Sequence, residues 1–354
     1  MSGVFTFLFK WLGRLISLCA LLALLAGLID PRTFWIPSII SPVLPWLLLL
    51  VGVLLLLLLY RKKYQEAILP GLVLIFAIPA LRKTIAWSKV ATADEQLNTL
   101  QLTTANVATL KSPSDNFPLD SNGVKELAQR LSGVDLLFLQ EFSYEKGDWR
   151  TQILRSTGKF THFLSAEGGS LAIFSKMPVH KVDEHFFENT VNGYLSFDLT
   201  LDGGPLRCIN VHLQSNRVSG MAKRITKEGR IQDASTWQTV KQMFGRYGRT
   251  TRTRTAQAEH VSQQIEESPY PVLLAGDFND VPTSFPYRFL RTARLCDAWL
   301  ERGTGLGTTF AGPIPGLRID YILVDTSLQV LETEVLPNGH ADHHPVRVEI
   351  QSTY

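Results

Sequence analysis

Two patterns of apolar positions divide this chain of 354 residues. Near the N-terminus, leucine, isoleucine, valine and alanine run together in three stretches, Leu15–Ile29, Val43–Tyr60 and Ala67–Leu81. From Leu100 onward the apolar residues come in short runs broken by polar, glycine and proline positions. The long stretches predict helices suited to lipid, because about 20 apolar residues cross the hydrocarbon core. Leu44–Tyr60 is the plainest of them, holding only apolar residues apart from Pro45 and Gly52. The first stretch gains length if it begins near Trp11, with Arg14 reaching back to the interface. The third is the shortest. Trp11, Trp35, Trp46 and Tyr60 fall near the ends of these stretches, where aromatic belts lie. A small-residue cleavage site is not evident and two further segments follow the first, so an anchor is expected and not a removed leader.

The short runs predict strands at Leu102–Leu110, Leu136–Leu139, Leu171–Phe174, Leu195–Leu201, Leu206–His212, Val272–Ala275, Ile319–Val324 and Val346–Ile350. Helical spacing lies between them, at Gly123–Leu131 and at Arg254–Ile265, where Ala256, His260, Val261 and Ile265 approximate one face. Strands interleaved with helices, with several adjacent strands in the middle, predict an α/β domain built around sheets. The expected organisation is an anchor of about three helices over residues 1–85, a linker at 86–99 and a folded domain at 100–354. The chain has no internal repeat and neither of the glycine-rich nucleotide loops, G-x-x-x-x-G-K-[ST] and G-x-G-x-x-G.

Charge sharpens the division. Residues 1–90 carry nine Lys/Arg against Asp30 and Glu66, whereas the remainder has 26 basic and 30 acidic residues. The folded domain is slightly acidic, so the sequence pI near 8.7 is no argument for nucleic-acid binding. Arg61-Lys62-Lys63 between the second and third stretches should face the cytoplasm, and Lys10 with Arg14 agree. Three spans then put the large domain outside the cytoplasm, in the periplasm of a bacterium. Arg82 and Lys83 argue the other way, and two spans would make the domain cytoplasmic. Cys19, Cys208 and Cys296 are too few for a disulfide scaffold and read as small buried hydrophobes.

Residues 216–256 depart from this balance, with ten Lys/Arg against Glu228 and Asp233. They predict either a solvated loop and helix surface or a basic flap that holds a polyanion or touches anionic lipid head groups.

The candidate chemistry sits at the ends of the apolar runs. Asn106 follows Leu102-Thr103-Thr104-Ala105 in the first and Glu141 ends the second, while His212 ends Leu206-Arg207-Cys208-Ile209-Asn210-Val211. Pro271-Val272-Leu273-Leu274-Ala275 runs into Gly276-Asp277-Phe278-Asn279, where Asp277 and Asn279 share a face if the strand persists. Asp320 lies in Arg318-Ile319-Asp320-Tyr321, and Asp342-His343 precede the last run. A carboxylate that ends so apolar a strand needs a partner, because a buried unpaired charge is very costly. A cation is one such partner, and oxygen ligands suit Mg²⁺ or Mn²⁺. A salt bridge, a helix cap or a hydrogen-bonded core histidine would account for any one of these residues alone.

Taken in order, they resemble the endonuclease/exonuclease/phosphatase superfamily, the metal-dependent phosphohydrolases related to DNase I, abasic-site endonucleases and neutral sphingomyelinases. The resemblance rests on Asn106, Glu141 in Gln-Glu, the glycine-led Gly168–Lys176 segment, Asn210-Val211-His212-Leu213-Gln214-Ser215, Gly276-Asp277-Phe278-Asn279, Arg318-Ile319-Asp320-Tyr321 and Ala341-Asp342-His343. It spans Leu100 to Ile350, with one departure: Thr103-Thr104-Ala105 precede Asn106 where Ser-Tyr or Ser-Trp is usual. It implies a four-layer α/β sandwich, two packed mixed sheets flanked by helices. It also implies that Glu141, with Asn106 and Asp342, holds Mg²⁺ or Mn²⁺, that Asp277 activates or orients water, and that Asn279 contacts phosphate. His343, oriented by Asp320, and His212 would stabilise charge on the phosphoryl oxygens.

The expected activity is therefore hydrolysis of a phosphate ester by a membrane-anchored, metal-dependent enzyme. Nucleic acid, phospholipid or sphingolipid head groups, and inositol or sugar phosphates are the substrate classes, and membrane lipid is a further partner. No obligate protein partner is indicated. The alternative is a catalytically silent domain that binds a partner at the membrane. A transporter is disfavoured, since the three stretches contain no acidic residue.

Overall fold

Twelve strands pair into two six-stranded sheets in the computed structural model, which describes residues 3–87, 97–111, 117–142, 147–167, 170–201, 203–216, 221, 225, 232–312, 314–337 and 341–352. The predicted linker falls largely on residues 88–96 and the Gly168-Gly169 pair opens the glycine-led segment, and both lie outside the described residues. So does most of 217–231, including Arg217, Lys223, Arg224, Lys227 and Arg230.

The N-terminal stretches form helices α1 (Gly3–Leu24), the short α2 (Ile36–Ile40), α3 (Leu44–Tyr60) and α4 (Tyr64–Thr84). Three segments, Lys10–Gly27, Ile36–Tyr60 and Tyr64–Thr84, are long and apolar enough to cross a membrane. The helices pack through Ala20, Ala23, Leu44, Leu48, Val51, Val73 and Ala77. At Gly13 a Cβ would stand 2.9 Å from the Leu54 side chain, so glycine lets α1 and α3 close up there.

The chain divides into two compact units, and the unit holding these helices also takes in residues 216–255 and 280–288. Within it, Tyr247 Oη donates to Ser38 O at 3.0 Å and Arg252 Nε to Pro31 O at 3.3 Å. Arg254 is wholly buried and donates from Nε to Asp280 Oδ2 at 2.8 Å. Part of the basic stretch is thus structural: Arg254 is an interior ion pair, not a solvated charge.

The second unit is the sandwich. One sheet combines β1 (Thr99–Asn106), β2 (Leu136–Gln140), β3 (His162–Ser165), β4 (Leu171–Ser175), β11 (Leu328–Val335) and β12 (Val346–Ser352), in the order β11-β12-β1-β2-β4-β3. The other combines β5 (Val179–Phe186), β6 (Gly193–Leu201), β7 (Gly204–His212), β8 (Val272–Asp277), β9 (Leu295–Asp297) and β10 (Asp320–Asp325), in the order β5-β6-β7-β8-β10-β9. Each contains parallel and antiparallel neighbours: β1 runs parallel to β2 and antiparallel to β12, while β7 runs parallel to β8 and β8 antiparallel to β10. Leu102, Phe138, Ile173, Phe197, Cys208, Leu273 and Ile322 fill the space between the sheets, where the Phe138 and Phe197 rings meet edge to face at 5.5 Å.

On the outer face of the first sheet, α5 (Ser121–Leu131) and α6 (Trp149–Gly158) bury Leu127, Leu131 and Leu154 against Leu137, Leu139 and Phe174. The α5 start is set by Asp120, whose carboxylate accepts from Gly123 N at 2.8 Å. The long helix α7 (Ala234–Glu266) buries Ala258, Val261 and Ile265, while Ala256, expected on the same face, is exposed. Two short helices, α8 (Phe285–Leu290) and α9 (Ala298–Arg302), complete the order. This is the four-layer sandwich that the resemblance implies.

Candidate active site

Register places the site. β7 and β8 end together, with His212 paired to Asp277, and β10 begins opposite them with Asp320 paired to Asp277. Neighbouring strands lie about 4.8 Å apart, so three functional side chains form one row at the sheet's end. In the facing sheet β1 ends at Asn106, paired with Gln140, and Glu141 follows directly. A run of apolar residues holds each strand inside the sandwich until its polar terminus, and that is why the site residues gather at one edge.

The backbone at this edge is bent on purpose. Gly276 has φ +145°, and a Cβ there would lie 1.9 Å from Val211 O, so no other residue fits. The β8 strand does not persist to Asn279, which adopts φ 53°. Asn279 therefore does not alternate with Asp277 on one face. Its backbone N–H donates to Asp277 Oδ1 at 2.8 Å and its Nδ2 to Leu213 O at 2.9 Å. Between them, Phe278 stacks on Tyr321 at 4.7 Å. Glu141 also takes a positive φ, 52°, as the chain leaves β2.

Asp277 is the hub. Its Oδ2 accepts from Asn106 Nδ2 at 3.0 Å and lies 3.7 Å from His212 Nε2 and 3.8 Å from His343 Nε2. Burial raises its pKa to about 6, Asp320 adds to the rise, and His343, His212 and Asn106 oppose it. His343 Nδ1 lies 3.0 Å from both Asp320 oxygens. Burial of that ring disfavours its charge, but Asp320 and Asp277 outweigh the burial and raise the pKa to about 10. Asp320 is held in turn by Thr309, whose Oγ1 accepts from the Asp320 and Ile319 N–H groups at 3.1 and 2.9 Å.

Asn106 Nδ2 also donates to Glu141 Oε1 at 3.2 Å, while its Oδ1 accepts from Ala108 N at 3.0 Å. Glu141 Oε1 stands 3.8 Å from His212 Nε2, and the Glu141 carboxylate is partly exposed. His212 is almost wholly buried, yet neither ring nitrogen has a hydrogen-bond partner. Buried polar groups are nearly always paired, which sets this ring apart from the other polar groups of the cluster.

The structure thus brings Asn106, Glu141, His212, Asp277, Asp320 and His343 into one cluster, with the Asn279 N–H bracing Asp277. Asp342 is exposed beside them; its carbonyl accepts from Ala311 N at 2.8 Å and its charge raises the His343 pKa. The donor set suits a hard divalent cation. Glu141 presents an open carboxylate a short distance from Asp277 through the shared Asn106 amide, and polar atoms of Asp277, Asp320 and His343 lie within 4.8 Å of one another beside it. Thr309, and Phe310 lying edge-on to the His343 ring at 5.1 Å, went unmarked in the sequence, where neither belongs to a patterned run.

The family follows from comparison with known proteins. The Endonuclease/Exonuclease/phosphatase family matches residues 103–343, and a domain of unknown function (DUF8431) matches residues 6–84. No curated protein matches the chain by sequence. Among solved structures, an endonuclease/exonuclease/phosphatase family protein from Bacteroides thetaiotaomicron is 17% identical, with a TM-score of 0.50, over 73% of this chain and 100% of its own. A functionally unknown conserved protein from Enterococcus faecalis V583 is 19% identical, with a TM-score of 0.48, over 72% of this chain and 100% of its own. D. rerio TDP2, solved with a single-strand DNA product, is 18% identical, with a TM-score of 0.48, over 72% of this chain and 99% of its own. The match over most of the chain, on this sandwich and around this cluster, settles the assignment: the chain belongs to the endonuclease/exonuclease/phosphatase family, whose members are generally phosphoester hydrolases.

Proposed function

We propose that this protein is a membrane-anchored, divalent-metal-dependent phosphoester hydrolase. The observation that carries the reading is Asp277, a buried carboxylate facing Asn106, His212 and His343, with the His212 nitrogens left unpartnered. Phosphoryl transfer asks chiefly for positioning and for donors aimed at the oxygens where charge develops.

Asp277 Oδ2 takes the proton of the attacking water, and the Asn279 N–H fixes the opposite oxygen so that Oδ2 faces the substrate. His343, charged below its raised pKa, gives Nδ1–H to Asp320 and aims Nε2–H into the site. His212 supplies the second ring donor to a non-bridging oxygen. The remaining Asn279 amide proton, not used by Leu213 O, reaches a phosphate oxygen. Glu141 and Asn106, with Asp342, would hold the Mg²⁺ or Mn²⁺; Asn106 would ligate through Oδ1, which here accepts from Ala108 N. The cation neutralises phosphate charge when bound.

The helices α1, α3 and α4 serve as the anchor. With the Arg61-Lys62-Lys63 turn in the cytoplasm, the sandwich lies on the outer side of the membrane. Protease accessibility of the sandwich in intact spheroplasts tests that side. The activity is tested by presenting the full-length protein in detergent with plasmid DNA, RNA, sphingomyelin and inositol phosphates, with Mg²⁺ or with EDTA. Mg²⁺-dependent hydrolysis of one class assigns the substrate. No hydrolysis of any would leave a silent binding domain as the better reading.

A further inference from the structure

We propose that the helical unit carries a binding site of its own for a phosphate-bearing anion, separate from the hydrolytic site. It lies near the Arg61-Lys62-Lys63 turn that joins α3 to α4, against the middle of α1. A cavity of about 330 Å³ opens there, lined by Lys10, Arg14, Ser17, Gln65 and Glu66 among leucines of α3 and α4. That volume falls in the ~300–1,000 Å³ range of small-molecule sites.

Arg14 is exposed and the Lys10 and Glu66 side chains are 39% and 26% exposed, so these groups line the open side of the bundle; ionisable groups on helices this apolar are rare and mark function by default. The charges do not cancel. Lys10 Nζ is 3.5 Å from Glu66 Oε1, and Lys63 Nζ is 4.0 Å from Glu66 Oε2, so two cations already share the one carboxylate. Arg14 meets no carboxylate among the described residues; its guanidinium instead lies over the Trp11 ring, 5.0 Å from the centroid. Ser17, fully buried, donates its hydroxyl proton to Gly13 O at 2.9 Å. The cavity therefore offers an excess of positive charge, an Arg fork and an ammonium, with apolar walls from Leu54, Leu58 and Leu69. Arg recognises phosphate by paired N–H groups and Lys by point charge. Basic pockets between membrane helices on the cytoplasmic side are where anionic phospholipid head groups bind. A head-group phosphate and free inorganic phosphate present the same chemistry to these residues, and the experiment separates the two sources.

Native mass spectrometry of the full-length protein in detergent measures retention of phosphatidylglycerol against phosphatidylcholine, and thermal melting reads the effect of inorganic phosphate. The expected result is one phosphatidylglycerol retained in preference to phosphatidylcholine, or stabilisation by inorganic phosphate that displaces the lipid. Lipid preference without a phosphate effect assigns the site to lipid; displacement by phosphate assigns it to the free anion. The double variant K10Q/R14Q should weaken whichever binding is seen by about thirtyfold. Glu66→Gln should strengthen it, which a merely misfolded bundle would not do. Equal retention of both lipids with no phosphate effect overturns the proposal, as does undiminished binding by K10Q/R14Q or no gain in Glu66→Gln. None of these readouts depends on hydrolysis, so they stand or fall apart from the active-site reading.

Discussion

Asp320 holds His343 Nδ1 with both carboxylate oxygens at 3.0 Å, and so fixes which nitrogen of that ring faces Asp277. The ring is buried, which alone would lower its pKa, yet two carboxylates keep it charged to about pH 10 against an ordinary 6.5. The sign follows from linkage: the folded state holds this proton more tightly than the unfolded chain does. Its contribution to stability is whole below about pH 6.5 and is lost as pH rises through about 10. With EDTA present, an NMR titration of the His343 ring should show it still charged at pH 8. Asp320→Asn should bring the midpoint down by more than one unit. An unchanged midpoint in the variant contradicts the assigned pairing.

The sheets are joined by a buried polar bridge next to the site. Gln140 Nε2 donates to Asn210 Oδ1 at 2.7 Å and to Thr104 Oγ1 at 3.0 Å, while Asn210 Nδ2 donates to Leu139 O and Ala172 O, each at 3.1 Å. Asn210→Ala removes three buried hydrogen bonds, each contributing about 1 kcal/mol. A net loss of about 3 kcal/mol should lower the melting temperature by roughly 6–12 °C. The exposed Ser156→Ala should change stability by no more than about 0.5 kcal/mol. Comparable melting of the two variants would remove the bridge from the account.

Gly276→Ala tests the bend that delivers Asp277. The added methyl would meet Val211 O at 1.9 Å, in a backbone conformation closed to side chains. The neighbouring strand cannot yield without breaking the β7–β8 pairing, so folding yield and activity should fall together. Gly133→Ala has φ +85° but open space around it, and should cost only about 1–2 kcal/mol. Solubility of Gly276→Ala equal to that of Gly133→Ala would show that the bend is not required.

How much was legible in the sequence follows from where each strand sits. The eight runs read as strands correspond to β1, β2, β4, β6, β7, β8, β10 and β12, all interior to their sheets. The four that escaped notice, β3, β5, β9 and β11, are the edges of the two sheets. Edge strands carry polar side chains that deter further pairing, and Val-His-Lys-Val-Asp-Glu-His-Phe of β5 shows neither an apolar run nor a clean alternation. The first apolar run continues past the end of its strand for a related reason. The chain leaves β1 at Asn106, whose Oδ1 captures Ala108 N–H, and residues 108–110 turn with positive φ despite their apolar character. Site residues showed because apolar strands end on them abruptly. Thr309 gave no such signal, since its role is a hydroxyl accepting from a distant backbone. The burial of Arg254 was equally silent, because a basic run does not disclose which of its charges meets an interior aspartate.

The central claim is that Asp277 is the proton acceptor in phosphoester hydrolysis. Its most direct test is the Mg²⁺-dependent turnover of the full-length protein and of Asp277→Asn, on whichever substrate the wild type cleaves. The side chains are nearly isosteric, so the variant should fold and melt close to wild type while turnover falls by at least about 10²-fold. A folded Asp277→Asn protein that hydrolyses at the wild-type rate would contradict the account.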